Sequence, residues 1–206
     1  MLYNSRFMKI ITFSGVDGSG KSSQLALLQR KLESTSTKTA YFHAVQFSLP
    51  QATKRLFQRE TQHPGATKAV TESSHFGVLL RKIVLLIDLF RFHCYLKRLT
   101  HSGMDYLISD RYFYDSLVNI AYLDGTPLGT PYARFAARFI PRPDRAFFLS
   151  IVPERVMTRQ RPPEQGIAYL KDKQMLFAEA AQLWNFITID ADNEIEKVHQ
   201  TILSQL

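Results

Sequence analysis

The sequence predicts an α/β protein, a three-layer sandwich in which a five-stranded parallel sheet lies between helices. Short apolar runs alternate with longer amphipathic segments along the whole chain, the order that builds a parallel sheet through helical crossovers. The run Arg145 to Val152 (RAFFLSIV) is apolar almost without interruption, as a strand covered on both faces must be. A Gly-rich turn follows the first apolar run and leads straight into a helical pattern. The 206 residues suit a single domain over 1–206, with at most a small lid appended.

Lys9 to Ser14 (KIITFS) is the first strand. Ser22 to Leu32 follows as an amphipathic helix with Leu25, Leu28 and Leu32 on one face. Thr39 to Val45 is read as a second strand. Phe47 to Pro64 is read as a loop carrying a short helix around Lys54 to Arg59. A long helix from about Ser74 to His101 stops at Gly103. Asp105 to Ser109 is a third strand, and Tyr114 to Leu123 a helix closed by Asp124-Gly125. After the strand at Arg145, helices are expected at Pro153 to Arg159 and Ile167 to Leu183. Phe186 to Asp190 is the fifth strand and Glu194 to Leu206 the terminal helix.

Composition sets outer limits. Hydrophobic residues make up 45% and charged residues 21%, well away from the balance that keeps chains disordered. A single cysteine, Cys94, cannot form an intrachain disulfide and is expected to be a packed helix residue. No signal-like apolar run opens the chain, so a cytoplasmic location is expected. The apolar stretch Val78 to Leu99 is broken by seven charged or His residues and should not span a bilayer. The net charge of +8 calls for an anionic partner: nucleic acid, a membrane surface or a phosphorylated small molecule. Six scattered histidines without metal-ligand spacing predict no zinc site. Aromatics placed mainly in core elements argue against a nucleic-acid stacking platform. No G-x-S-x-G supports a hydrolase triad.

The sharpest signal is Gly15-Val16-Asp17-Gly18-Ser19-Gly20-Lys21-Ser22, a complete G-x-x-x-x-G-K-[ST]. Its glycines let backbone N–H groups close around phosphate oxygens where side chains would block the approach. The helix that follows aims the positive end of its dipole at the same anion, so Gly15 through Ser23 form an ATP site. Lys21 can reach the β- and γ-phosphates, and the Ser22 hydroxyl can ligate Mg²⁺.

The pattern around this loop resembles the thymidylate kinase family of P-loop nucleoside monophosphate kinases. Phe13 to Gln24 resembles that family's phosphate loop, including Asp17 and the trailing Ser23-Gln24. Asp110-Arg111-Tyr112 matches its Asp-Arg-Tyr motif. Arg142-Pro143-Asp144 followed by Phe147-Phe148-Leu149 resembles its Pro-Asp-strand segment. Pro153-Glu154 with Arg159 and Arg161 is similar to the helix entering its lid, and Ile189-Asp190-Ala191 to the late strand whose loop lies beside adenine.

The resemblance implies a P-loop kinase sandwich with a short helical lid from about Arg155 to Gly166, which acts as a homodimer. It implies transfer of the ATP γ-phosphoryl to dTMP, with Mg²⁺ and without nucleic acid or membrane as partner. Asp110 would hold Mg²⁺ through water, alongside Ser22. Arg111 and Tyr112 would meet the acceptor. Arg91 would bind the acceptor phosphate and cover the base; read without the family, it is equally an arginine reaching solvent. Asp17 would lie close to the acceptor sugar's 3′-hydroxyl, or else simply stabilise a turn. Arg155, Arg159 and Arg161 read either as a solvated basic face or as the source of the arginine that meets transition-state charge. The phosphate loop carries Gly18 and Ser19 where some family members have a basic residue, so Arg159 and Arg161 are the candidates for that finger.

Four departures all fall on the acceptor side. Ser14 stands where an acid usually precedes the loop. Phe47-Ser48-Leu49-Pro50 lacks the expected nearby Arg. Ile87 replaces an aromatic four residues before Arg91, with Phe90 as a substitute. Asp115 takes a Ser position, while Ser116 and Ala121-Tyr122 come later. The acceptor is therefore left open between dTMP, another nucleoside monophosphate, a deoxynucleoside and a small metabolite. An NTP-driven switch or nucleic-acid-binding ATPase is a more distant reading.

Overall fold

The computed structural model describes residues 8–48, 75–158 and 163–206. The expected short helix at Lys54 to Arg59 and both finger candidates, Arg159 and Arg161, lie outside them. Five strands, β1 (Lys9–Ser14), β2 (Thr39–Phe42), β3 (Tyr106–Asp110), β4 (Arg145–Ser150) and β5 (Ile187–Asp190), form one sheet in the order β2-β3-β1-β4-β5. Every pairing is parallel, as the apolar runs predict. The helices among the described residues are α1 (Lys21–Glu33), α2 (Ala44–Ser48), α3 (His75–His101), α4 (Phe113–Asp124), α5 (Pro131–Ala137), α6 (Pro153–Met157), α7 (Gly166–Leu183) and α8 (Ile195–Leu203). None of these helices is long and apolar enough to cross a membrane.

Strand order decides where a ligand sits. The chain builds β1, β2 and β3 on one side, then crosses β1 to lay down β4 and β5 on the other. In such sheets the crevice opens beyond the carboxyl ends of the strands where this reversal occurs. Phe13 of β1 is in register with Asp110 at the end of β3, and Ser14 with Phe148 of β4. The Gly-rich turn and the Asp-Arg pair therefore emerge side by side.

Fully buried Ile11, Phe13, Leu107, Ile108, Phe147 and Leu149 make the sheet's core, and the Phe13 and Phe147 rings stack at 5.4 Å across the central pair of strands. One helical layer is anchored by aromatics: Phe92 of α3 lies 4.5 Å from Phe42 of β2 and 4.9 Å from Phe113 of α4, ring centre to ring centre. In the same layer Tyr114 of α4 stacks on Trp184, which follows α7, at 4.6 Å. The helix α3 ends where the sequence places its stop. Gly103 takes φ +69°, and the Met104 N–H returns to the Leu99 carbonyl.

Three expectations change. The second strand ends at Phe42, not Val45, because the Ala44 N–H leaves the sheet to bond the Arg111 carbonyl and α2 begins there. A helix at Pro131–Ala137 was not expected, though its signal is present: Thr130 caps it, accepting the Ala133 N–H at 3.3 Å, and Pro131 fills the first turn. Cys94 lies on α3 but is exposed, not packed.

Replacing Phe92 by Ala should lower stability by about 3–5 kcal/mol, the usual cost of emptying a fully buried aromatic site. Urea denaturation should show a reduced midpoint with an unchanged slope.

Candidate active site

Strand β1 delivers the phosphate loop, and two glycines make the delivery possible. Gly15 has φ +139°, and a Cβ there would sit 2.7 Å from the Leu149 carbonyl of β4. Gly20 has φ +94° immediately before α1. Helix α1 then starts with no side-chain cap and no acid in its first turn. Its leading N–H groups and its dipole are left to an anion.

Lys21 is buried and folded back over the loop. Its Nζ donates to the carbonyls of Gly15 at 3.0 Å and Val16 at 2.7 Å, with the Ser19 hydroxyl at 3.4 Å. Burial lowers its pKa to about 8, helped by the Arg111 charge and opposed by Asp17, Asp110 and Asp115. An anion arriving at the loop reverses that balance. The Ser22 hydroxyl donates to Asp110 Oδ2 at 2.8 Å. These two oxygen donors suit Mg²⁺, which takes one or two protein oxygens and completes its shell with phosphates and water. Among the described residues no cluster of three or more His, Cys, Asp or Glu could hold a metal by itself. A cleft of about 400 Å³ opens here, lined by the loop, the start of α1, His43, Asp110 and Arg111.

Arg111 forms the far wall. It has φ +64°, its N–H bonds the Phe13 carbonyl at 3.0 Å, and its own carbonyl accepts the Ser109 hydroxyl at 2.7 Å. Its guanidinium pairs with Asp17 across the cleft. Burial works against that charge, and Asp17, Asp115 and Asp110 outweigh it, so the Arg111 pKa is raised. The Asp17 carboxylate is half exposed, and ion pairs with such a partner are weak enough to be exchanged. The structure thus brings together Asp17, Lys21, Ser22, Asp110 and Arg111, five residues the sequence singled out.

Others land elsewhere. Tyr112 is fully buried, and its hydroxyl donates to the Pro141 carbonyl at 2.9 Å. Its side chain cannot touch an acceptor in this cleft, which corrects the expectation of a binding role. Arg91 finds its anionic partner within α3, donating to Asp88 Oδ1 at 2.7 Å while its guanidinium lies 4.7 Å above the Phe47 ring. Phe90 is three-quarters exposed (75%) and does not line the cleft, so it does not substitute for the missing aromatic at Ile87. Arg155 is held outside the cleft against Asp192, bonding its carbonyl at 3.0 Å.

Two of the departures prove to be the ends of one bond. The Ser14 hydroxyl donates to Asp115 Oδ2 at 2.6 Å in a buried setting. The same oxygen accepts the Tyr112 N–H at 3.0 Å, closing the first turn of α4. Acid and hydroxyl have changed sides relative to the family pattern, and they meet. Sequence reasoning missed Tyr169 and Lys173 of α7, two titratable groups within the influence of Arg111 and Asp17 on a helix with no motif at those positions.

Burial holds the Asp115 carboxyl above its ordinary value, against Arg111 and its hydrogen bonds. Between the ordinary carboxylate value of about 4 and this raised one, the native state binds more protons than the unfolded chain, so Asp115 makes stability fall as pH rises through that window. Ser14→Ala should cost about 1.5–3 kcal/mol at neutral pH, the range for a bond to a charged group. In an Asp115→Ala background the same change should cost far less, a coupling read from a double-mutant cycle in urea.

No family model matches the chain. Similarity to individual proteins runs nearly end to end. A probable thymidylate kinase of Methanocaldococcus jannaschii is 25% identical over 202 residues, 95% of this chain and 94% of the relative. Another from Sulfurisphaera tokodaii is 26% identical, covering 92% and 91%. The thymidylate kinase of Schizosaccharomyces pombe is 24% identical, covering 95% and 90%. With its phosphate loop at the switch point of a parallel sheet, the chain is a phosphotransferase related to the thymidylate kinase family.

Proposed function

We propose that this protein transfers the γ-phosphoryl group of ATP to dTMP, giving dTDP and ADP. The observation that carries the reading is the facing of two anion sites across one cleft. Lys21 and the α1 N-terminus stand on one side, and Arg111 on the other. A cation there can hold the phosphate of an anionic acceptor; in a hydrolytic switch it would meet the γ-phosphate instead, and dependence of turnover on the acceptor separates the two.

The chain's own residues account for most of the chemistry. The loop N–H groups and α1 take the ATP phosphates, and Lys21 exchanges its carbonyl partners for phosphate oxygens. The acceptor phosphate takes Arg111 from Asp17, freeing that carboxylate for the acceptor's sugar hydroxyl. An acceptor phosphate oxygen is already ionised at neutral pH and needs no general base. It forms the new bond to the γ-phosphorus as the bond to the β–γ bridging oxygen breaks, and ADP leaves. Mg²⁺, held by Ser22 and Asp110, would neutralise phosphate charge when bound. We assign the charge that develops in transfer to Arg159 or Arg161, on a lid that excludes water.

One observation favours a second reading, a different phosphorylated acceptor. Ile87 and Phe90 both face outward from α3, so the aromatic cover expected over thymine is not supplied there. Homodimerisation fits the same helix. Phe76, Leu79, Leu80, Ile83, Ile87 and Phe90 form an exposed apolar stripe, a feature that marks association surfaces.

A panel of nucleoside monophosphates and thymidine, scored by ADP release and product mass, should show turnover that depends on the acceptor and is fastest with dTMP. ATP hydrolysis indifferent to every acceptor would overturn the kinase reading. Lys21→Ala should cut kcat by about 10²–10³-fold in a folded protein. Arg111→Ala should raise the acceptor KM and leave that of ATP nearly unchanged. Phe76→Glu with Phe90→Glu should convert a dimer to a monomer in light scattering.

A further inference from the structure

Lys173 of α7 is an ammonium group placed where no lysine is needed for packing. The residue is only 5% exposed. Its Nζ donates to the neutral Asn119 Oδ1 of α4 at 2.8 Å, and lies 4.8 Å from the Tyr122 ring centre and 5.8 Å from that of Tyr169. Among the described residues no carboxylate comes within ion-pair distance of it. An ammonium carries three donors, and one is engaged here. Buried charges are normally paired, so a cation held only by an amide oxygen and two aromatic faces has capacity left for an anion.

Its place in the fold says which anion. Helix α4 begins two residues after Arg111, and α7 begins at Gly166, where the expected lid ends. Asn119 and Tyr122 are one turn apart on α4, Tyr169 and Lys173 one turn apart on α7, and they close on one another where the two helices pack. The charged groups that act on Lys173 are Arg111 and Asp115 beside the acceptor wall, Asp17 in the loop, and Arg81 of α3. Asp17 and Arg111 act on Tyr169 as well. Asn119 lies one turn beyond Asp115 on the same face of α4, and Asp115 bonds Ser14 at the base of the phosphate loop, so the cluster stands one helical turn from the contact that positions the Arg111 wall of the cleft.

We propose that Lys173 is a specificity-determining residue of the acceptor site, a second cation that joins Arg111 in selecting a phosphorylated acceptor over a neutral one. The proposal rests on the kinase reading above and deepens it. Burial, with Arg111, brings the Lys173 pKa down to about 7, against Asp115 and Asp17. A bound dianion raises it again. Below about pH 7 the lysine is charged with or without acceptor, and the affinity is full. Above it, binding must draw a proton from solvent, so the acceptor KM climbs with pH and levels off past the pKa of the bound state. The acceptor's own phosphate titrates near pH 6, below this window. Titration of Lys21, near pH 8, belongs to the phosphate loop and persists when Lys173 is replaced.

The test compares wild type with Lys173→Met, a change of similar volume, and Lys173→Arg, which keeps the charge at high pH. The acceptor KM is measured from pH 6.5 to 9 with dTMP, and melting temperatures are recorded for all three. In wild type the dTMP KM should rise across this range. Lys173→Met should start about tenfold to 100-fold higher at pH 6.5 and lose that rise. Lys173→Arg should hold the low KM to pH 9. Calorimetry at pH 8 in two buffers of different ionisation heat should show uptake of about one proton when dTMP binds wild type, and little with Lys173→Met. A Lys173→Met protein with the wild-type KM and pH course would overturn the proposal, as would failure of Lys173→Arg to rescue; a fall in melting temperature alone would mark the lysine as a strut between helices. Turnover of a monophosphate other than dTMP by wild type would overturn only the choice of dTMP, and the same comparison is then read on that monophosphate. ADP release indifferent to all of them would overturn both.

Discussion

The bond from the Ser14 hydroxyl to Asp115 ties the last residue of β1 to the first turn of α4, and both walls of the cleft take their positions from it. On one side of Ser14 the chain becomes the phosphate loop. On the other side Asp115 receives the Tyr112 N–H, one residue beyond Arg111. A shift of α4 along the sheet would move the guanidinium away from the loop it faces. The bond is short and enclosed, so it resists that shift where an exposed ion pair such as Arg111–Asp17 would not. The rigid contact sets the frame, and the exposed one is left to be exchanged.

The cleft balances its own charge. Lys21 rests on loop carbonyls, Arg111 on Asp17, and the Ser22 hydroxyl on Asp110. Each of these partners is one that a nucleotide phosphate or a hard cation can replace with a group of the same kind. Binding therefore becomes an exchange of hydrogen bonds and costs little new desolvation. Lys173 is the exception, a cation with no ion-pair partner to exchange among the described residues, and burial lowers its pKa.

How much of this the sequence disclosed depended on whether backbone or side chain did the work. The sheet, its parallel sense and the phosphate loop were legible because they rest on local patterning: alternating apolar runs, and glycines at Gly15 and Gly20 where positive φ is required. Asp110 and Arg111 were legible because they end a strand next to that loop. Tyr112 was misplaced because its motif fixes its position in the chain and not the direction of its ring, which the Phe42, Phe92 and Phe113 cluster draws into the core. Lys173 could not be found at all. A lysine in an amphipathic helix reads as solvated surface until the packing of α4 against α7 is known.

The same distinction explains why all the departures from the family pattern lie on one side. A donor phosphate is held by backbone N–H groups, a helix dipole and one lysine, and few substitutions leave that geometry intact. In the proposed reading an acceptor is held by side chains, which can be replaced provided their replacements fit one another. Ser14 and Asp115 demonstrate such a compensated exchange, since the acid at 115 alone would face a second buried acid with no hydroxyl between them to donate. The α3 surface shows the opposite case, in which Ile87 and Phe90 turn outward and nothing on that helix takes over the covering role in the cleft. In the proposed reading, specificity on this side then falls to Arg111 and to the charges and aromatic rings packed between α4 and α7.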